Sequence, residues 1–148
     1  MLPATTERVS AHTSDSINRQ IRQQTEERVA YFAARRGGIP ARLRELDREW
    51  DIERTLEANA STLAFTGVVL GATLDRRWLV LSAVVTAFLF QHAVQGWCPP
   101  VPILRRLGFR TAGEIDGERC ALKALGGDFV GVDQADNGAT AAMRAARA

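Results

Sequence analysis

Gln91, Gln95 and Cys98 stand four and three residues apart, a spacing that places all three on one helical face, with His92 beside them. A thiol and an imidazole this close define the chemistry open to the chain. Positive charge from Arg54, Arg105 or His92 would lower the Cys98 pKa and make it a reactive thiolate suited to redox or sulfur transfer. The structural reading is that the glutamines and His92 hydrogen-bond across a helix pair, while Cys98 packs as a small apolar group. One His and one Cys do not amount to a metal or haem-thiolate ligand set, so no metal and no cofactor are expected. The sequence also lacks a nucleophilic triad, a phosphate-binding glycine loop and a carboxylate pair with catalytic spacing. A non-enzymatic role is therefore expected.

The elements that must position these groups are helical, and the fold class expected is all-α. Leu63 to Val94 is apolar apart from the trio Asp75, Arg76 and Arg77. That pattern predicts an integral membrane hairpin of two transmembrane helices, about 55–74 and 78–96, within a domain of residues 39–110. The nearly all-apolar part of the first span, Ser61 to Leu74, covers roughly 21 Å at about 1.5 Å per residue, so Thr55 to Ala60 must help cross a hydrocarbon core of about 30 Å. One continuous helix is expected from Ala41 to Leu74, because no Gly or Pro interrupts it before Gly67. Folding the hairpin about Arg76 and Arg77 brings Gln91, His92, Gln95 and Cys98 level with Arg54, Glu57, Asn59 and Ser61. Polar groups at that depth seek one another, since lipid offers no partners, and His92 with Glu57 is the expected pair. Ala60, Ala64, Gly67 and Gly71 form a run of small residues along which helix backbones can approach closely.

Outside the hairpin, residues 14–38 are expected to hold an amphipathic cytoplasmic helix whose narrow stripe is Ile17, Ile21, Val29 and Phe32, stopped by Gly37-Gly38. A short helix over 111–127 follows from the capping-box spacing of Thr111 and Glu114 and the closing Gly126-Gly127. Residues 1–13 and 128–148 are expected to be disordered. Arg35, Arg36, Arg42, Arg44, Arg48 and Arg54 precede the hairpin and Arg105, Arg106 and Arg110 follow it, nine in all, against Arg76 and Arg77 in the turn. By the positive-inside rule both termini are cytoplasmic, with Trp50 and Trp97 at the inner interface and Trp78 at the outer one. No apolar stretch behind a basic start marks a secretory signal in the first sixty residues, so the spans themselves are expected to direct insertion. Lys and Arg number 19 and Asp and Glu 17, a balance that sets nucleic acid aside as a partner. Cys98 and Cys120 are too few for a disulfide framework.

Gly96-Trp97-Cys98-Pro99, followed by Leu104 and Leu107-Gly108 and preceded by Glu53-Arg54, Gly67 and Gly71, resembles the YgaP-like inner-membrane domain family. The likeness covers roughly residues 51–110. It implies a bacterial inner-membrane location and, through the rhodanese domain to which such hairpins can be joined, a link to sulfane sulfur at Cys98. No rhodanese Cys-x-x-x-x-Arg loop occurs in this chain. The expected role is a membrane-anchored accessory or scaffold protein, with the lipid bilayer as one partner and a homo-oligomer or larger membrane complex as the other. Thiol or persulfide handling at Cys98 is the alternative, and an oligomeric pore or transporter component the third.

Overall fold

The computed structural model describes residues 8–130 and 138–147, and among these every regular element is helical. The helices are α1 Arg8–Ala11, α2 Asp15–Ala34, α3 Ile39–Leu46, α4 Ile52–Thr73, α5 Leu79–Gln95, α6 Val101–Arg106, α7 Ala112–Gly126 and α8 Gly138–Arg147. They sort into two compact units. Residues 1–21 and 50–112 make the first, and 22–49 and 113–148 the second.

The first unit is organised by the antiparallel pair α4 and α5. Asp75 accepts the Arg77 N–H at 2.8 Å and starts a 3-10 turn over Arg76–Trp78, which reverses the chain within a few residues. Beside the turn the two backbones nearly touch. A methyl group added at Gly67 would sit 2.5 Å from Ser82 Oγ and 3.0 Å from both Ser82 N and Trp78 O, and one at Gly71 would sit 2.7 Å from Leu79 Cδ2. Ser82 uses this closeness to donate to the Ala64 carbonyl across the pair at 2.8 Å. Further from the turn, Val9, Ile52, Leu56, Cys98 and Val101 form an apolar cluster with Leu104 and Phe109 against it. Arg105, almost wholly buried, ties this end together by donating to Phe109 O at 3.1 Å and Asn18 Oδ1 at 2.9 Å.

The second unit is held differently. Ile39, Leu46, Ile115 and Leu122 make its apolar centre, with Phe32, Leu43 and Leu125 around them. Into the same unit α7 carries Glu118, whose side chain is fully buried and receives Arg28 Nε at 3.2 Å and Arg42 Nε at 2.9 Å. Arg42 also reaches Glu45 at 3.0 Å. A carboxylate taken from water survives only with such pairing.

Several expectations need correction. The continuous helix from Ala41 to Leu74 is broken between Leu46 and Ile52. Asp51 adopts extended backbone and accepts the Arg54 N–H at 2.6 Å as an N-cap, while the Ile52 N–H leaves the helical path for Arg110 O at 2.9 Å. Residues 39–49 consequently join the second unit and not the hairpin. The N-terminal stretch is not structureless, because α1 buries Val9 in the first unit's apolar cluster. The C-terminal tail carries α8, where Ala145 is buried and Ala146 O accepts from Lys123 Nζ at 2.8 Å. The remaining parts of those two expectations, residues 1–7, 131–137 and 148, lie outside the described residues. Helix α6 was not anticipated between Pro99-Pro100 and Gly108.

Two outcomes follow. Gly67→Leu should lower the thermal midpoint of the purified chain, with overpacking of this kind costing about 1–3 kcal/mol or more. Gly37→Ala, where an added methyl meets nothing within 4 Å, is the control and should leave the midpoint in place. Equal midpoints for both would contradict the close approach. In the second unit, Glu118→Ala removes the carboxylate shared by Arg28 and Arg42 and should destabilise by about 3–5 kcal/mol in chemical denaturation followed by circular dichroism. An unshifted midpoint would mean that the buried pairing contributes nothing.

Candidate functional site

Helix α5 ends at Gly96, which adopts φ 75° and ψ 10°, a left-handed conformation open to glycine at little cost. Glycine is required there for a second reason, since a methyl at Gly96 would lie 2.9 Å from the Arg8 carbonyl carbon and closer still to Arg8 Cβ. The reversal sends Cys98 away from the face of Gln91 and Gln95. Its thiol enters the cluster of Val9, Ile52, Leu56 and Val101, where it is 4 % exposed. Burial pushes the Cys98 thiol up from its ordinary range, opposed by a hydrogen bond from the Val101 backbone. Gln91 and Gln95 instead pair with each other along the helix at 3.4 Å.

The other expected members of the polar cluster part company in the same way. Arg54 turns outward and lays its guanidinium over the Trp50 ring, 4.6 Å from the centroid. Asn59 donates to Thr55 O on its own helix at 2.8 Å. Glu57 and His92 do come together, on the wall of a cavity of about 420 Å³ that is also lined by Arg8, Glu53, Leu89 and Gly96. Glu57 is close enough for its charge to act on His92. Among the described residues His92, 9 % exposed, has no hydrogen-bond partner for Nδ1, and Glu53 none for its buried Oε2. Arg8 Nη1 donates to Ala93 O at 2.6 Å, fixing the guanidinium at the end of α5.

Arg8 and Glu53 are the site residues that sequence reasoning missed. Glu53 lies within helical reach of Glu57, so its position was available, but nothing local joins Arg8 to residues more than eighty positions away. On the other side of the helix pair a second cavity, of about 390 Å³ and mostly apolar, is lined by Leu56, Asn59, Leu63, Phe88, Cys98 and Leu104. Trp50 and Trp78 are about half exposed, and Trp97 is half-buried. Among the described residues no group of three or more His, Cys, Asp or Glu is placed to hold a metal ion. No family model, curated protein or solved structure matches the chain.

The buried, up-shifted Cys98 should alkylate more slowly at pH 7 than Cys120, which is exposed. Because the thiolate is the nucleophile, the Cys98 rate should climb only at higher pH, and denaturant should abolish the difference. Mass spectrometry after timed alkylation reads both sites in one sample. Faster labelling of Cys98 at pH 7 would restore the reactive-thiolate reading.

Proposed function

We propose that the chain is a membrane-anchored accessory or scaffold protein in which α4 and α5 cross the bilayer as a two-span hairpin. The observation that carries the reading is the apolar surface of the hairpin. One helix, Arg76–Gln95, is long and apolar enough to cross a membrane, and only 6 % of its apolar window is buried. A soluble core helix would be mostly covered. Phe65, Val80 and Phe90 are 63–71 % exposed, with Leu63, Val68, Val84 and Phe88 open beside them. At about 1.5 Å per residue this helix reaches about 30 Å, the thickness of the hydrocarbon core.

Helix α4 has a shorter uncharged stretch, Ala58–Thr73, or about 24 Å. Its case rests on the close packing at Gly67 and Gly71, which obliges it to share whatever environment α5 occupies. Hydroxyl pairing supports the same reading. Thr55, Ser61, Thr62, Thr66, Thr73, Ser82 and Thr86 are all the Ser and Thr residues of the pair, and each donates to a carbonyl within it. In lipid no other acceptor would be offered. The Arg asymmetry favours cytoplasmic termini, and the resemblance at Gly96 to Pro99 favours a bacterial inner membrane. The second unit is the natural partner-binding part, folded around a buried ion pair and free of spanning sequence. Thiol chemistry loses support from the burial of Cys98.

The topology has a direct test in intact cells with a membrane-impermeant maleimide. Arg76→Cys in the hairpin turn should label without permeabilisation, whereas Cys120 should label only after it. The chain should also stay with membranes through alkaline carbonate extraction. Labelling of Cys120 in sealed cells, or release by carbonate, would overturn the reading.

A further inference from the structure

We propose that the cavity between α1, α4 and α5 binds a primary ammonium group, the headgroup amine of an aminophospholipid such as phosphatidylethanolamine. Two buried atoms on the cavity wall, Glu53 Oε2 and His92 Nδ1, can accept a hydrogen bond that they do not receive from the described residues. Glu53 Oε2 is buried without a donor, the Glu57 carboxylate lines the same wall, and His92 Nδ1 accepts when the ring proton sits on Nε2. A primary ammonium brings three N–H donors to such a set, and a quaternary one brings none.

Charge selects in the same direction. Two carboxyl groups, Glu53 and Glu57, line the cavity against one guanidinium, Arg8, a balance that suits a cation. Three acidic or imidazole groups are present, yet none of the described residues forms a metal-holding cluster, so an organic cation fits better than a metal ion. Val9, Leu89 and Ala93 supply apolar wall for a short carbon linker, and a volume of about 420 Å³ is that of a small-molecule site. Arg8, held by its bond to Ala93 O, places a guanidinium where the phosphate of a phosphoethanolamine headgroup would follow the amine. The cavity lies at the end of the hairpin away from the turn. On the topology proposed above, that end is the cytoplasmic interface, where headgroups reside; the lipid source rests on that topology, whereas the ammonium chemistry does not.

Native mass spectrometry of the full chain in detergent with equimolar palmitoyl-oleoyl phosphatidylethanolamine and phosphatidylcholine tests the proposal. The ethanolamine lipid should be retained about tenfold over the choline lipid, the discrimination expected when charge-assisted hydrogen bonds are made to one and not the other. Millimolar ethanolamine should compete it away. Glu57→Gln, a conservative change at an exposed position, should reduce its retention to that of phosphatidylcholine while circular dichroism stays unchanged, and His92→Phe should do the same. Equal retention of the two lipids with no effect of ethanolamine on the thermal midpoint would overturn the site. Equal retention together with an ethanolamine-dependent rise in midpoint, absent in Glu57→Gln, would uphold the ammonium site and overturn the lipid source. Ethanolamine binding that persists in a chain released by carbonate would count against the membrane topology alone.

Discussion

Two helix backbones meet at Gly67 and Gly71, and the first unit is arranged around that contact. At the turn there is no room for even a methyl group, so Ser82 can reach across to the Ala64 carbonyl. Away from the turn Leu56, Leu63, Phe88 and Leu89 form cavity wall. Leu89 lines both the polar cavity and the apolar one. The close contact at the turn and the cavity lined by His92 and Glu57 thus lie at different places along the pair. Helix α1 packs at the same end, where Val9 joins the apolar cluster and the Arg8 backbone presses on Gly96.

What could be read from the sequence was whatever depends on neighbours along the chain. The Asp75 turn, the glycine pair, the stop at Gly37-Gly38 and the bounds of α2 and α7 each follow from local patterns and were found where expected. That His92 and Glu57 come to the same cavity wall also follows, because a tight turn fixes the register of an antiparallel pair. The break before Ile52 was hidden because it depends on Asp51 turning its side chain back to Arg54 N and on Ile52 finding Arg110 O, 58 residues away in the sequence. Cys98 was misplaced by extending helical spacing past Gly96, where the chain leaves the helix. Arg54 was misplaced because an aromatic face, Trp50, competes for it with the carboxylates.

The two units solve the burial of charge in opposite ways. In the second, Glu118 enters the interior with two guanidiniums already bound to it, and Lys123 finds a carbonyl. Each charge is answered within the chain, as a fold surrounded by water must arrange when it takes ions inside. In the hairpin the hydroxyls are answered within the chain, while the apolar side chains are left uncovered. That combination fits a non-polar surrounding, in which uncovered leucine and phenylalanine cost nothing and an unpaired hydroxyl costs much.

Against that thorough internal pairing, the polar atoms left over around one cavity stand out. A hairpin that satisfies seven hydroxyls has no evident packing reason to leave Glu53 Oε2 and His92 Nδ1 without partners a short distance from Glu57. Burying such groups unmet carries a desolvation cost of about 1–3 kcal/mol each, and apolar residues in their places would remove it. The cost is offset if a ligand supplies the missing donors, because a bound cation would pair both acceptors and hold the Glu53 carboxyl in its charged form. Position strengthens the point. These groups stand at the end of the pair away from the turn, clear of the close backbone contact at Gly67 and Gly71.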